Sequence, residues 1–154
     1  MKPILRHIGI VDVQFGDEVV VIEPVNLYRC LLGDHVFVGP FVEIQANVQI
    51  GSRSRIQSHT FICEGVTIGE DCFVAHGVMF VNDTFSTGGP AGDPALWKAT
   101  KIGDRVSIGS NATILPVKIA DDVVIGAGAV VTKDIAEPGF YVGNPARLLK
   151  RKTK

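Results

Sequence analysis

Long apolar runs are missing from this 154-residue chain: no stretch approaches 18 uninterrupted apolar residues, and Met1-Lys2-Pro3 does not open an apolar leader. The expectation is a soluble, cytoplasmic protein with no membrane partner. An excess of either charge is missing too. The 15 Lys plus Arg nearly balance the 16 Asp plus Glu, so no global field argues for nucleic acid or an anionic surface. Cysteine is scarce: Cys30, Cys63 and Cys72 form no CxxC pair, and an odd count cannot close a complete set of intrachain disulfides. They read as reduced packing residues. A hydrophobic content of 46% with positive mean hydropathy excludes intrinsic disorder, and the 17 glycines, spread along the chain, mark a turn-rich globular protein. The length suggests one domain over residues 1–154.

What is present is a six-residue repeat. Leu32, Val38, Ile44, Ile50, Ile56, Ile62, Ile68, Val74 and Phe80 form one arithmetic series, and the residue four places after each is usually small or β-branched. The series resumes at Ile102, Ile108 and Ile114, then slips by one to Ile119, Ile125 and Val131, the slip falling in Ile114-Leu115-Pro116-Val117-Lys118. A period of six fits neither a continuous helix nor a plain strand; short strands joined by tight corners fit it. Three hexads make one triangular coil, so Leu32 stacks on Ile50 and Ile50 on Ile68. Residues 1–31 are less regular and read as an N-terminal cap. The tail over 136–154, with Pro138, Gly139 and Pro145 as breakers, reads as a C-terminal cap made of a return strand and a short basic terminus.

The segments LGDHVF, IGSRSR, IGEDCF, IGDRVS and IGSNAT resemble the hexapeptide-repeat acyltransferases over about residues 32–135. That resemblance implies an all-β fold, a left-handed parallel β-helix, and assembly as a homotrimer. The repeat stops from Ser86 to Lys101, so an inserted loop is expected over 86–101; it carries the only tryptophan, Trp97, and such loops are often lids or binding loops. With the loop removed, 18 residues per coil place Ser58, His76, Ser110 and Ala127 in one corner column. His59, Gly77, Asn111 and Gly128 fall in the next, and Glu64, Asn82, Pro116 and Lys133 on a different corner. One subunit does not easily bring two corners together, but a trimer sets one corner against its neighbour's face, so a composite site is expected.

The stretch from Ile56 to Thr67, followed by Val74 to Asp83, resembles a narrower subgroup, the N-acetyltransferases of nucleotide-linked 3-amino sugars. The resemblance places Asn82 and Asp83 at the amino-sugar site and matches a histidine at His76. An ammonium cannot attack a thioester, whereas an imidazole, neutral over much of the physiological range, can take the amine's proton. His76 is therefore the candidate base and His59 the reserve; Asn82 and Asp83 are expected to orient the sugar, and a corner backbone N–H to stabilise the oxyanion. Gln57, Glu64 and Trp97 join the candidate acceptor site. The histidines, Asn82, Asp83, Gln57 and Glu64 also read as ordinary corner or turn residues, and Trp97 as a side chain packed on the coil exterior. His7 and His35 are assigned to the surface.

The C-terminal segments from Ile125 to Ile135 and from Gly143 to Lys150 resemble the family's coenzyme A end. The resemblance implies contacts to acetyl-CoA as co-substrate through Ser110, Asn111, Ala127, Gly128, Thr132, Lys133, Arg147 and Lys150. A phosphate needs cations in a neutral protein, and Arg147, Lys150, Arg151, Lys152 and Lys154 are the densest positive cluster, though they also read as a solvated tail. No metal is expected: a zinc-dependent carbonic anhydrase of the gamma type needs two histidines five residues apart, and position 81, five after His76, is Val81. The function expected is transfer of an acyl group to a nucleotide-activated amino sugar for surface-glycan synthesis, lipopolysaccharide included. Two alternatives stay open: an acetyltransferase acting on serine, an antibiotic or an amino acid, and a non-catalytic β-helix scaffold.

Overall fold

A six-residue period leaves room for a two-residue strand and a four-residue corner, and that unit repeats along the chain. The structure is a computed structural model that describes residues 9–151. Met1-Lys2-Pro3, His7, Lys152 and Lys154 lie outside the described residues. Parallel strands stack coil on coil into three sheets, the sides of a left-handed β-helix. Sheet 1 has seven strands: Ile10–Val11, Asn26–Tyr28, Glu43–Ile44, Phe61–Ile62, Met79–Phe80, Thr113–Ile114 and Val130–Val131. Sheet 2 has six: Gln14–Phe15, Leu31–Leu32, Gln49–Ile50, Val66–Ile68, Thr100–Ile102 and Lys118–Ile119. Sheet 3 runs Val20–Val21, Phe37–Val38, Arg55–Ile56, Phe73–Val74, Ser107–Ile108 and Val124–Ile125, then Gly139–Val142 and the antiparallel return strand Arg147–Arg151.

The last residue of most strands points inward and is buried. These residues form three ladders: Leu32, Ile50, Ile68, Ile102 and Ile119 on sheet 2; Val38, Ile56, Val74, Ile108 and Ile125 on sheet 3; Ile44, Ile62, Phe80, Ile114 and Val131 on sheet 1. Each buried side chain contributes roughly 1.5–3 kcal/mol. The expected stacking of Ile108 on Val74 and of Ile114 on Phe80 is observed. Buried polar corner residues are satisfied: Ser54 Oγ donates to the Gly69 carbonyl at 2.8 Å, and Thr60 Oγ1 to that of Ala75 at 3.0 Å. Burial pushes the Cys30 thiol up to about 11 and the Cys63 thiol up to about 12, which keeps both protonated and unreactive at neutral pH.

Most corners turn through a residue with left-handed backbone angles; those at 22–25 and 115–117 do not. Asn47, His59, Asn111 and Asp122 hold φ between 59° and 64°, and Gly77 and Gly128 take the same place at 68°.

Two expectations need correction. Residues 10–31, read as an irregular cap, already form strands of all three sheets. Leu27 pairs Ile44 and Val21 pairs Val38, steps of 17 residues, because the corner at Arg29-Cys30 is one residue short. The inserted loop begins earlier and ends earlier than 86–101: it leaves sheet 1 after Phe80, and Thr100 and Lys101 already pair with Val66 and Thr67 in sheet 2. The slip at 115–117 lies at the same corner, between sheets 1 and 2. That corner therefore absorbs each change of coil length noted here.

Candidate active site

The three corners carry different chemistry. The corner from sheet 2 to sheet 3 is closed upon itself. Arg53 bonds Asp71 at 2.7 Å and also Glu70; Arg105 bonds Asp122 at 3.0 Å and Asp121 at 3.3 Å. Asp104 Oδ1 accepts the Glu70 N–H, and Asp121 Oδ1 accepts the Asp104 N–H, both at 2.9 Å. The hydrogen bond from Arg53 holds the Asp71 carboxyl below its usual range. His35 sits here, 3.0 Å from Glu18. Each acid and base on this ladder supports the next coil, which makes the corner structural.

The corner from sheet 3 to sheet 1 has no such ladder. The Gly77 N–H donates to the Ser58 carbonyl, that of Asn111 to the His76 carbonyl and that of Gly128 to the Ser110 carbonyl, at 2.9–3.0 Å, so the expected columns are real. His76 is exposed, and its Nδ1 lies 2.9 Å from Ser58 Oγ, one coil below. The second ring nitrogen makes no hydrogen bond among the described residues. His59 is turned into a different contact, its ring 4.9 Å from that of Phe41. Asn111 leans over Gly77, where a Cβ would collide with its Oδ1. Asn111 therefore stands directly beside His76, and Ser110, Ala127 and Gly128 continue the same edge toward the C-terminal end. Gln57 is half-buried next to Ser58.

The corner from sheet 1 to sheet 2 carries the loop. Glu64 is half-buried; its carboxylate accepts from Asn47 Nδ2 at 2.8 Å and its N–H donates to Gln45 Oε1 at 3.3 Å. Trp97, just beyond a 3-10 turn at Pro94–Leu96, closes over it, and Asn47, Glu64, Pro94, Trp97 and Lys98 line a pocket of about 200 Å³. Asn82 and Asp83 anchor the loop. Asn82 Nδ2 donates to the Glu64 carbonyl at 3.3 Å, and the Asn82 carbonyl accepts the Lys98 N–H at 3.0 Å. Asp83 uses both carboxylate oxygens, accepting from the N–H of Phe85 at 2.9 Å and of Ala91 at 2.7 Å. These contacts shape the loop. The two corners stand one sheet width apart, roughly 15–20 Å, so a single chain does not bring His76 to Trp97.

At the C-terminal end, Thr132, Lys133 and Arg147 line one cleft of about 300 Å³ with Tyr141 and Ala146. Neither Lys133 nor Arg147 forms an ion pair among the described residues. Lys150 turns away, its Nζ 4.4 Å from the centroid of the Phe140 ring. Sequence reasoning gave no role to Ser58 or Asn47. The column arithmetic had set Ser58 under His76, which was the available signal; Asn47 shows only as one more asparagine on a corner. Among the described residues there is no group of three or more His, Cys, Asp or Glu arranged to hold a metal, and no helix long and apolar enough to cross a membrane.

Comparison with known proteins places this geometry. Two family models match, bacterial transferase hexapeptide (six repeats) over residues 29–64 and hexapeptide repeat of succinyl-transferase over 99–133. The bifunctional protein GlmU of Trichodesmium erythraeum is 31% identical over 121 residues, 78% of this chain and 23% of that protein. The chain spans 21–28% of the length of the first curated relatives it matches. Among solved structures, an aspartate variant of AntD, an N-acyltransferase from Bacillus cereus in complex with dTDP and coenzyme A, matches with a TM-score of 0.79 at 21% identity, covering 96% of this chain and 86% of that one. A histidine variant of GDP-perosamine N-acetyltransferase from Caulobacter crescentus, in complex with coenzyme A and GDP-perosamine, matches with a TM-score of 0.66 at 22% identity, covering 92% and 58%. Hexad spacing, the three-sided left-handed coil and both repeat models agree, and the chain carries hexapeptide repeats of the bacterial transferase type.

Proposed function

We propose that this chain is an acyl-CoA-dependent N-acyltransferase that acetylates the amine of a nucleotide-activated amino sugar for surface-glycan synthesis. The observation that carries the reading is His76: a solvent-facing imidazole with one nitrogen held by Ser58 and the other open to an acceptor. Its Nε2 takes the proton that the amine releases as the new C–N bond forms. The proton then leaves with the thiol. Acetyl-CoA supplies the thioester whose C–S bond is exchanged. The cleft of Thr132, Lys133 and Arg147 offers its phosphates two cations outside any ion pair among the described residues; the carboxylate that shares the cleft, Asp134, is engaged by the Lys118 N–H at 2.8 Å. The pocket of Glu64 and Trp97 offers an acceptor an aromatic wall and a positioned carboxylate. Solved relatives bound to dTDP or to GDP-perosamine support that acceptor class.

Assembly as a homotrimer joins the two corners. Outward positions on sheets 1 and 3 carry Phe61, Met79, Val130, Phe37, Phe73 and Val124 interspersed with Glu43, Thr113, Arg55 and Ser107, whereas those of sheet 2 carry Gln14, Gln49, Thr67, Lys101 and Lys118 with Leu31 as an apolar exception. Sheets 1 and 3 meet at the histidine corner, so neighbouring copies that cover them bring a second chain's loop toward His76. The test is thiol release from acetyl-CoA in the presence of a panel of amino-sugar nucleotides, with serine as the contrasting acceptor. Release that requires an amino-sugar nucleotide supports the reading. Release with serine alone, or with no acceptor in the panel, overturns it.

A further inference from the structure

An exposed histidine on a corner is ordinarily free to rotate about χ2 and to carry its proton on either ring nitrogen. His76 is not free. The strand leading into it is tied to the coil below, the Gln57 N–H donating to the Val74 carbonyl at 2.8 Å, and its own carbonyl accepts the Asn111 N–H at 2.9 Å. Ser58, half-buried, is locked into the coil below by its carbonyl, which accepts the Gly77 N–H at 3.0 Å. Two rigid backbones therefore set the 2.9 Å separation of Ser58 Oγ and His76 Nδ1. The hydrogen bond between them has two forms. If the hydroxyl donates to Nδ1, the ring proton sits on Nε2 and the outer nitrogen cannot accept one. If Nδ1–H donates to the hydroxyl, Nε2 is a lone-pair base facing solvent.

We infer that Ser58 is a positioning residue for His76, accepting its Nδ1–H so that Nε2 stands ready as the base. This rests on the acyl-transfer reading of the corner. The second form also survives catalysis without rearrangement. When Nε2 gains the amine's proton, the ring carries a proton on both nitrogens and Ser58 Oγ still accepts from Nδ1; in the first form the hydroxyl would have to turn over at the same moment. An acceptor already in place when the positive charge develops stabilises it with no reorganisation. Asn111, on the coil above, packs its Oδ1 over Gly77, and Ser58 is the ring's one hydrogen-bond partner among the described residues.

The experiment reads the ring directly. In the 15N-labelled full chain, long-range proton–nitrogen spectra distinguish the two neutral tautomers of each of the four histidines, and loss of one set in His76→Asn assigns it. The wild type is expected to carry the His76 proton on Nδ1, and Ser58→Ala to lose that preference. In turnover, Ser58→Ala is expected to lower kcat by about tenfold at unchanged KM for acetyl-CoA, with Ser58→Thr restoring most of it. A wild-type ring protonated on Nε2 overturns the inference whether or not the variants fold. So does an active wild type whose kcat is untouched by Ser58→Ala. A wild type that releases thiol with no acceptor overturns the acyl-transfer reading instead, while the ring spectrum still decides the tie.

Discussion

His76 and Asn111 show how a single corner residue gains its meaning from the coil beside it. The imidazole is exposed, and what separates it from His35 is its partner: a neutral hydroxyl in place of the carboxylate of Glu18. His76→Asn keeps a corner-compatible side chain and removes the proposed base. It is expected to lower kcat by about 100-fold or more in the thiol-release assay with KM for acetyl-CoA nearly unchanged. Unchanged turnover would leave acyl transfer standing and remove the base assignment. The sequence placed His76, Ser58 and Asn111 at neighbouring corners by arithmetic alone. It did not show that His59 stacks on Phe41, nor that the carboxylate of Asp83 is engaged by two loop amides, because side-chain direction at a corner depends on neighbours 18 residues away or on a loop with no period.

Strands and corners obey stricter rules, and there the sequence was legible from Leu32 to Val131. A large apolar residue every six positions fills a narrow triangular core that admits no alternative register, as the pairing of Leu32 with Ile50 and Ile50 with Ile68 shows. The pattern failed to reveal residues 10–31 because one short corner at Arg29-Cys30 shifts the series by one, and apolar residues remain in phase only within each coil. It misplaced the loop by a few residues because Thr84 still stands four places after Phe80, as in the repeat, although the strand has ended. The corner from sheet 2 to sheet 3 yields a prediction of its own. Arg53 lowers the Asp71 carboxyl in the folded state, so the stabilisation from that pair is present above the unfolded carboxylate range, about pH 4, and disappears as pH falls through the lowered value. Thermal melts of wild type and Asp71→Asn are expected to differ at pH 6 and to converge toward pH 3. A constant difference across that range would show that the ion pair does not set it.

For the whole molecule, the separation of the histidine corner from the loop corner means that the proposed composite site requires assembly. Met79, 42% exposed on sheet 1 between the two corners, is a sensitive place to test this. Met79→Glu adds a charge to this side and, on the proposed trimeric assembly, is expected to give smaller species by light scattering, with thiol release lost in parallel. A monomeric variant with full turnover would mean that one chain holds a complete site. The central claim, that the corner edge and the C-terminal cleft form a coenzyme A site, is tested most directly by calorimetric titration with acetyl-CoA. The expected result is saturable binding near one site per chain, weakened about tenfold or more in Arg147→Ala. No detectable binding at millimolar acetyl-CoA would contradict the account and leave a β-helix without a donor.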